Sequence, residues 1–482
     1  MSQSEESAQE RATVRSRVRR RLLHGLVSGQ TGPIPPVRRV QCCVGSLRRD
    51  ALCLRLFGRD DERTVASGVE VMSSMFSSLA QPNYRIYAIG TLISNIGTWM
   101  FRTALTWMVL VLTGSGTAIG VVAAALTLPT LIFSPLAGVL ADRFDKRRGL
   151  IVAQIAMAMP VGVMGVLALF EVAQPWHAYV LAFGFGAGKA FEAPIRQSFV
   201  VELVGIKHLA NAVALNSASF NSGRLVGPGI AGLLIAWLGS GVAATGWVII
   251  FNFFSFFAVF VSLTTLDLTQ LRPSPRTTKV RGAIREGIRY VRDRSDLVLV
   301  LAIVFFVGTF AMNFQITSAL MVTEVFNLGA KTYGVLGSIV ALGSLAGALI
   351  AARRANPTIQ LVIGSGSVFA LLSIAAGLMP NVWSYAVLLP FQGLSVLLMM
   401  TSANSFIQLT TGSTMRGRIS SLYLMVFWGG TPLGGPFIGW VGETFGGRWS
   451  LIVGGCLALA GIVLVSLWHR KKQVDSDGSS AG

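Results

Sequence analysis

Acidic side chains are scarce in this sequence. Asp and Glu number 21 against 40 Lys and Arg among 482 residues, and all charged residues together make up 13%. That is about half the roughly 25% usual in soluble domains, so a soluble globular fold is disfavoured. Histidine and cysteine are equally sparse, four of each, and none of His24, His177, His208 and His469 lies in the middle of an apolar run. A membrane metalloenzyme and a haem carrier are disfavoured on that count, and no metal or cofactor site is expected. What the chain has in quantity is apolar surface: 52% of residues, with 28 Phe and 53 Gly, and a mean hydropathy of +0.63. Glycine is more frequent in transmembrane helices than in soluble ones, and the composition is that of a polytopic membrane protein.

Charge divides the chain at Met72. Residues 1–71 carry 13 Arg, no Lys and 8 acids, a net +5 of the total +19, together with Cys42, Cys43 and Cys53 and no sustained hydrophobic period. A secretory signal requires an apolar stretch of about 7–15 residues, whereas Ala51-Leu52-Cys53-Leu54 is broken at once by Arg55. A transit peptide is poor in acids, which this segment is not. It reads as a disordered leader, or as upstream sequence before a start at Met72 or Met75, and carries no assigned function.

From Tyr84 onward, apolar runs recur at about the 20 residues that a hydrocarbon core of about 30 Å demands of a helix. Twelve are expected, at 85–112, 117–140, 149–170, 176–203, 209–238, 243–266, 297–323, 332–352, 358–379, 382–410, 417–440 and 449–468. Short loops rich in Lys and Arg stay cytoplasmic. The loops after the even-numbered runs hold Arg143, Lys146, Arg147, Arg148, Lys207, Arg353, Arg354, Arg416 and Arg418, whereas the opposite loops hold only Lys331 and Arg448. Both termini are therefore expected in the cytoplasm. The longest loop, 267–296, separates a six-helix half at 72–266 from another at 297–468, followed by a tail at 469–482. Within that loop Ile284, Ile288 and Val291 fall at i, i+4 and i+7, apart from Arg285, Arg289 and Arg292, the pattern of a basic interfacial helix on anionic lipid.

The halves show an internal repeat. Gly138 and Gly347 head similar sequences at the ends of the second and eighth runs, 209 residues apart, and Gly227-Pro228 and Gly435-Pro436 lie 208 apart. Repeats related by an axis along the membrane normal occur in transporters built from two six-helix bundles.

The residues quoted so far, with their neighbours, resemble the major facilitator superfamily. Gly138-Val139-Leu140-Ala141-Asp142-Arg143-Phe144-Asp145-Lys146-Arg147-Arg148 is similar to the family signature between the second and third spans. Gly223-Arg224-Leu225-Val226-Gly227-Pro228-Gly229 is similar to the Gly-Pro motif of the fifth span associated with antiporters. Ile96 to Arg102, Glu286 to Arg292 and Arg416 to Leu422 resemble the bacterial branch of enterobactin exporters and drug:proton antiporters. The resemblance implies an all-α fold of twelve transmembrane helices in two pseudo-symmetric six-helix halves. It also implies gating roles for Gly138, Asp142, Arg143, Arg147, Gly227 and Pro228. The chain departs from the family in lacking an Arg-Gln-Gly signature in its fourth span, and the second-half copy of the loop motif has Ala351-Ala352 in place of the acid.

An ionisable group at bilayer depth costs roughly 2.5–3.5 kcal/mol on insertion scales and is a functional candidate by default. Those within the runs are Arg102, Lys189, Glu192, Arg196 and Arg224, with Glu324 at the end of the seventh. Lys189, Glu192 and Arg196 are spaced by three and four, which stacks them on one helical face. Lys189 and Arg224 fall near the centres of their runs. Glu192 either couples proton entry to export or serves as a permanently paired structural charge. Trp99, Trp107, Phe183, Phe185, Phe310, Phe314, Phe391 and Trp428 either line an aromatic cavity or pack helices.

The function expected is secondary active export of a small amphipathic molecule, a drug, siderophore or metabolite, by alternating access and proton antiport, with the proton gradient as energy source. The chain is then a multi-pass protein of a bacterial inner or plasma membrane, acting as a monomer among lipids, with no nucleic-acid partner. An importer of the same fold and a non-transporting sensor are the alternatives. No Ser/His/Asp or metal-ligand set meets at one depth, so enzymatic activity is not expected.

Overall fold

In lipid every backbone polar group must be satisfied within its own segment, which makes apolar runs of this length helical. The computed structural model describes residues 77–143, 145–271, 283–354 and 357–480, nearly all of them in helices. The leader and much of the central loop lie outside the described residues. The first helices are α1 (Pro82–Thr113), α2 (Gly116–Arg143), α3 (Lys146–Leu169), α4 (Pro175–Trp237) and α5 (Val242–Thr264). A short α6 (Ala283–Arg292) precedes α7 (Ser295–Phe306) and α8 (Phe314–Leu320), and then come α9 (Ala330–Ala352), α10 (Ile359–Gly377), α11 (Val382–Thr410), α12 (Ser413–Phe445) and α13 (Gly447–Ser480). Ten helical segments among the described residues are long and apolar enough to cross a membrane. Turn chemistry sets their ends. Pro82 and Pro175 open α1 and α4, Gly114 closes α1 in the left-handed region at φ 63°, and the Asp145 carboxylate accepts the Arg148 N–H at the start of α3.

Three expected features come out differently. The runs at 176–203 and 209–238 have no loop between them. At 63 residues α4 would be about 95 Å long if straight, and it breaks at Gly205, where φ 68° and ψ 172° are open to glycine alone. Its two arms run in opposite directions along α1: Phe101 and Tyr87 meet Phe185 and Phe199, whereas Tyr84 and Asn95 bond Ala212 and Ser219. The run at 297–323 is not one regular helix, having π turns at Val307–Ala311 and Met321–Val325. The first faces α12, whose Gly430 and Gly434 admit the Thr309 backbone, and Asn313 Nδ2 donates to the Thr309 carbonyl at 2.7 Å. In α6 the side chain of Ile284 lies outside the described residues, and the other two apolar positions of the expected stripe differ. Val291 packs with Tyr290 on protein, Ile288 is exposed, and Glu286 pairs with Arg418 at 2.5 Å. Beyond the run at 449–468, α13 continues as helix to Ser480.

Three apolar clusters organise the packing. One holds residues of α3, α4 and α5 such as Leu150, Phe199 and Leu263, near the ends that carry the Lys/Arg-rich loops. A second, with Leu297, Met399 and Tyr423, occupies the corresponding ends of the later helices. The third lies at the opposite ends and alone draws on both parts of the chain, from Met108, Val122 and Ile249 to Leu320, Tyr333 and Tyr385. The early and late helices therefore share apolar packing at the end poor in cations.

Two glycine seams bring backbones together there. Gly116 and Gly120 of α2 meet Gly439 and Gly435 of α12, and Pro228 and Gly232 of α4 meet Gly334 of α9. Small residues allow such approach where no hydrophobic force drives helices together. Beside the first seam the exposed Glu443, past the end of the apolar run of α12, accepts from Ser115 Oγ at 2.5 Å and the Thr117 N–H at 3.0 Å. Those donors hold its carboxyl below the ordinary range. The brace is therefore fully present above that range and is lost as pH falls through the depressed value.

A side chain in the seam should force it apart. With Ser115→Cys and Glu443→Cys in a cysteine-free background, a short cross-linker should join the two positions efficiently. Overpacking costs about 1–3 kcal/mol, so Gly120→Val should lower the yield about five-fold or more. Undiminished cross-linking would show that the seam tolerates a side chain.

Candidate functional site

The charges expected within the membrane form two groups. In the first arm of α4, helical spacing stacks three of them. Glu192 Oε2 lies 3.0 Å from Lys189 Nζ, and its Oε1 lies 2.8 Å from Arg196 Nε. Glu192 is 3% exposed. Arg196 is tied further, its Nη1 donating to Asn216 Oδ1 at 2.8 Å on the second arm. Lys189 is the looser partner, with a side chain 37% exposed. The ladder lines a small polar cavity with Tyr87, Thr91, Ser94, Asn95 and Gln154. Gln154 Oε1 is buried there without a protein partner.

The second group is built on α1 and the second arm of α4. The guanidinium carbons of Arg102 and Arg224 lie 5.4 and 5.9 Å from the centre of the Trp99 ring. Arg224, placed by the sequence at the same depth as Lys189, thus has Arg102 and Trp99 as its neighbours. Gly227 allows this packing, since a Cβ there would stand 2.7 Å from Trp99 Cβ. The Phe220 ring meets Trp99 edge-on at 5.6 Å. On the other side Tyr333 of α9 stacks on Trp107 at 6.0 Å, with its hydroxyl near Thr106 and Arg102.

Gly138, Asp142 and Arg143 fall in the last turns of α2, and the side chains of the latter two lie outside the described residues. Arg147 bonds the carbonyls of Leu263 and Thr264 at 2.6 and 3.3 Å, where α5 ends. A cation there completes unpaired carbonyls and meets the negative end of the helix dipole. Pro228 lies in the seam with α9, its carbonyl against Gly334. Of the aromatic residues singled out, Trp107 and Phe185 are buried in the shared cluster and Phe391 is 55% exposed.

Reasoning from charge alone passed over three features. The polar side of the cavity is Thr91, Ser94, Asn95 and Thr98, a stripe at i, i+3, i+4 and i+7 that helical periodicity could have found. Glu443 and Tyr333 carried no sequence signal, because their partners come from distant helices.

Comparison with known proteins agrees with this architecture. Residues 73–481 match a family model described as transmembrane secretion effector. The chain is 32% identical to the multidrug efflux pump Tap of Mycolicibacterium fortuitum over 226 residues, which are 45% of this chain and about half, 54%, of that pump. It is 23% identical over 420 residues to the enterobactin exporter EntS of Escherichia coli, covering 83% of this chain and 96% of EntS. Among solved structures, a bacterial homologue of the human lysosomal transporter Spinster, inward-facing and unoccupied, superposes with a TM-score of 0.63 at 15% identity. That match covers 81% of this chain and 98% of the homologue.

The Arg147 contacts carry a stability consequence. Arg147→Gln removes a charged cap, worth about 1–2 kcal/mol where partly buried, and should lower thermal stability in detergent accordingly. An unchanged unfolding temperature would mean that water replaces the guanidinium without cost.

Proposed function

Because the chain belongs to the transmembrane secretion effector family of the major facilitator superfamily, we propose that it exports a small amphipathic molecule by alternating access, exchanging it for protons. The reading takes each arm of α4 as one span and the stretch from α7 through Val325 as another, which makes twelve in two six-helix halves. The Lys/Arg-rich loops and both termini then face the cytoplasm of a bacterial cell, and the protein works as a monomer in the plasma membrane.

One observation carries the proposal. The apolar cluster and glycine seams common to early and late helices lie at the cation-poor end, whereas the clusters at the basic end are separate. With the basic end cytoplasmic, this is a state sealed toward the outside, from which an exporter loads its cargo. The relatives Tap and EntS, a multidrug efflux pump and an enterobactin exporter by name, support export over import. Uptake in intact cells against uptake in everted vesicles separates the two directions.

Glu192 supplies the proton step in this reading. Burial opposes its ionised form and the two cations favour it. Arg196 is held by Asn216, so Lys189 is the cation that arriving cargo can draw away. Losing it raises the proton affinity of Glu192 and links the two events. Asp142 locks the opposite state, meeting the start of α12 near Arg416 when the cytoplasmic side closes.

Everted vesicles energised with a proton gradient test both residues. Glu192→Gln should give folded protein that binds cargo but accumulates none against a gradient. Unchanged accumulation removes Glu192 from coupling, whereas failure to fold marks it as a structural charge whose loss strands Lys189 and Arg196. Asp142→Asn should cut transport about tenfold, the effect of one charge-assisted contact of about 1.5 kcal/mol, with cargo binding retained. Full transport in that variant would assign Asp142 to turn capping.

A further inference from the structure

Among the described residues, Arg102 and Arg224 stand well inside their expected spans without a counter-charge. Lys189 and Arg196 share Glu192 and Arg418 pairs with Glu286, but among the described residues neither Arg102 nor Arg224 stands within ion-pair distance of an acid. Arg102 Nε is shielded from solvent and bonds no acceptor. The two like charges repel one another across a single indole. Cation–π contact with Trp99 offsets part of this but supplies no acceptor for the guanidinium N–H groups. Charge of this kind is retained at intramembrane depth mainly where it meets a ligand or an ion path.

The surroundings define what would fit. Two guanidinium forks present planar, paired donors of the kind that bind oxyanions bidentately, which lysine does not reproduce. Trp99, Phe220, Trp107 and Tyr333 make the adjoining surface aromatic. The site also lies on the seam: Gly227 seats Trp99, the next residue, Pro228, touches Gly334, and Tyr333 comes from α9. A ligand held here is therefore read by helices from both parts of the chain.

We propose that Arg102 and Arg224, arrayed on Trp99, form an oxyanion clamp that selects exported molecules bearing a carboxylate or related oxyanion on an aromatic body. This rests on the export reading and names its substrate class. The clamp is distinct from the Glu192 ladder, which holds its own internal counter-charge.

Binding and transport together test it. The purified full chain in zwitterionic nanodiscs is titrated calorimetrically with three probes of one shape, 2-naphthoate, 2-naphthamide and 2-naphthylmethylamine. The clamp requires at least a tenfold preference for naphthoate over the other two. Arg224→Gln should abolish that preference, and Arg224→Lys should restore only part of it. Arg102→Gln should act in the same direction, and if it does not fold, the two Arg224 variants decide. Equal affinity for the three probes, or a preference surviving Arg224→Gln, overturns the proposal. Competition by phosphatidylglycerol introduced into the nanodiscs would assign the clamp to a lipid headgroup, which also overturns it. Everted-vesicle transport of the same probes separates this outcome from failure of the export reading. Efflux without anion preference leaves export standing and removes the clamp, whereas anion-selective binding without gradient-driven transport leaves the clamp standing and removes export.

Discussion

Close backbone approach along two glycine seams is the contact on which the rest of this structure depends. Lipid tails are as apolar as leucine, so burying Leu or Phe between helices gains little over leaving it in lipid. What joins the early helices to the late ones is geometric fit: Gly116 and Gly120 against Gly435 and Gly439, and Gly232 against Gly334. With these seams at one end, the apolar cluster that spans the chain forms at that end, and the basic end keeps two separate clusters. A seam without side chains to interlock is also one that can part.

The same economy governs polar groups. Where an N–H or carbonyl is freed, a side chain takes it up: Arg147 closes the end of α5, Asn313 meets the Thr309 carbonyl in a π turn, and Glu443 receives the Thr117 N–H at the start of α2. Each contact makes an irregularity tolerable within or beside an apolar medium. The Lys189–Glu192–Arg196 ladder obeys the same rule through charge. Arg102 and Arg224 break it, and a departure from satisfied pairing at the junction of two helix sets is the place where a ligand has most to supply.

Helix positions were legible because hydrophobic period and span length are local properties, and the internal charges because they stand out against apolar runs. The ladder was legible too, since i, i+3 and i+4 are neighbours on any helix. The pairing of Arg224 with Arg102 was not, because it depends on the register of the second arm of α4 against α1, fixed by Gly223 and Gly227 resting on residues 95–100. The apolar stripe of α6 misled in part, since amphipathicity states which face is apolar and not whether lipid or protein covers it; Val291 met protein.

Sequence alone determined what depends on residues near one another in the chain: apolar runs spaced to cross a bilayer, the uneven distribution of Lys and Arg between alternate loops, the glycine motifs and the stacked ladder. Tertiary structure alone decided which helices those glycines would meet, that a run read as regular carries π turns, and that Arg102 and Arg224 share one indole without an acid. The reason is physical. Lipid enforces secondary structure segment by segment through the cost of unsatisfied backbone, whereas helix association turns on close steric fit between surfaces far apart in the chain.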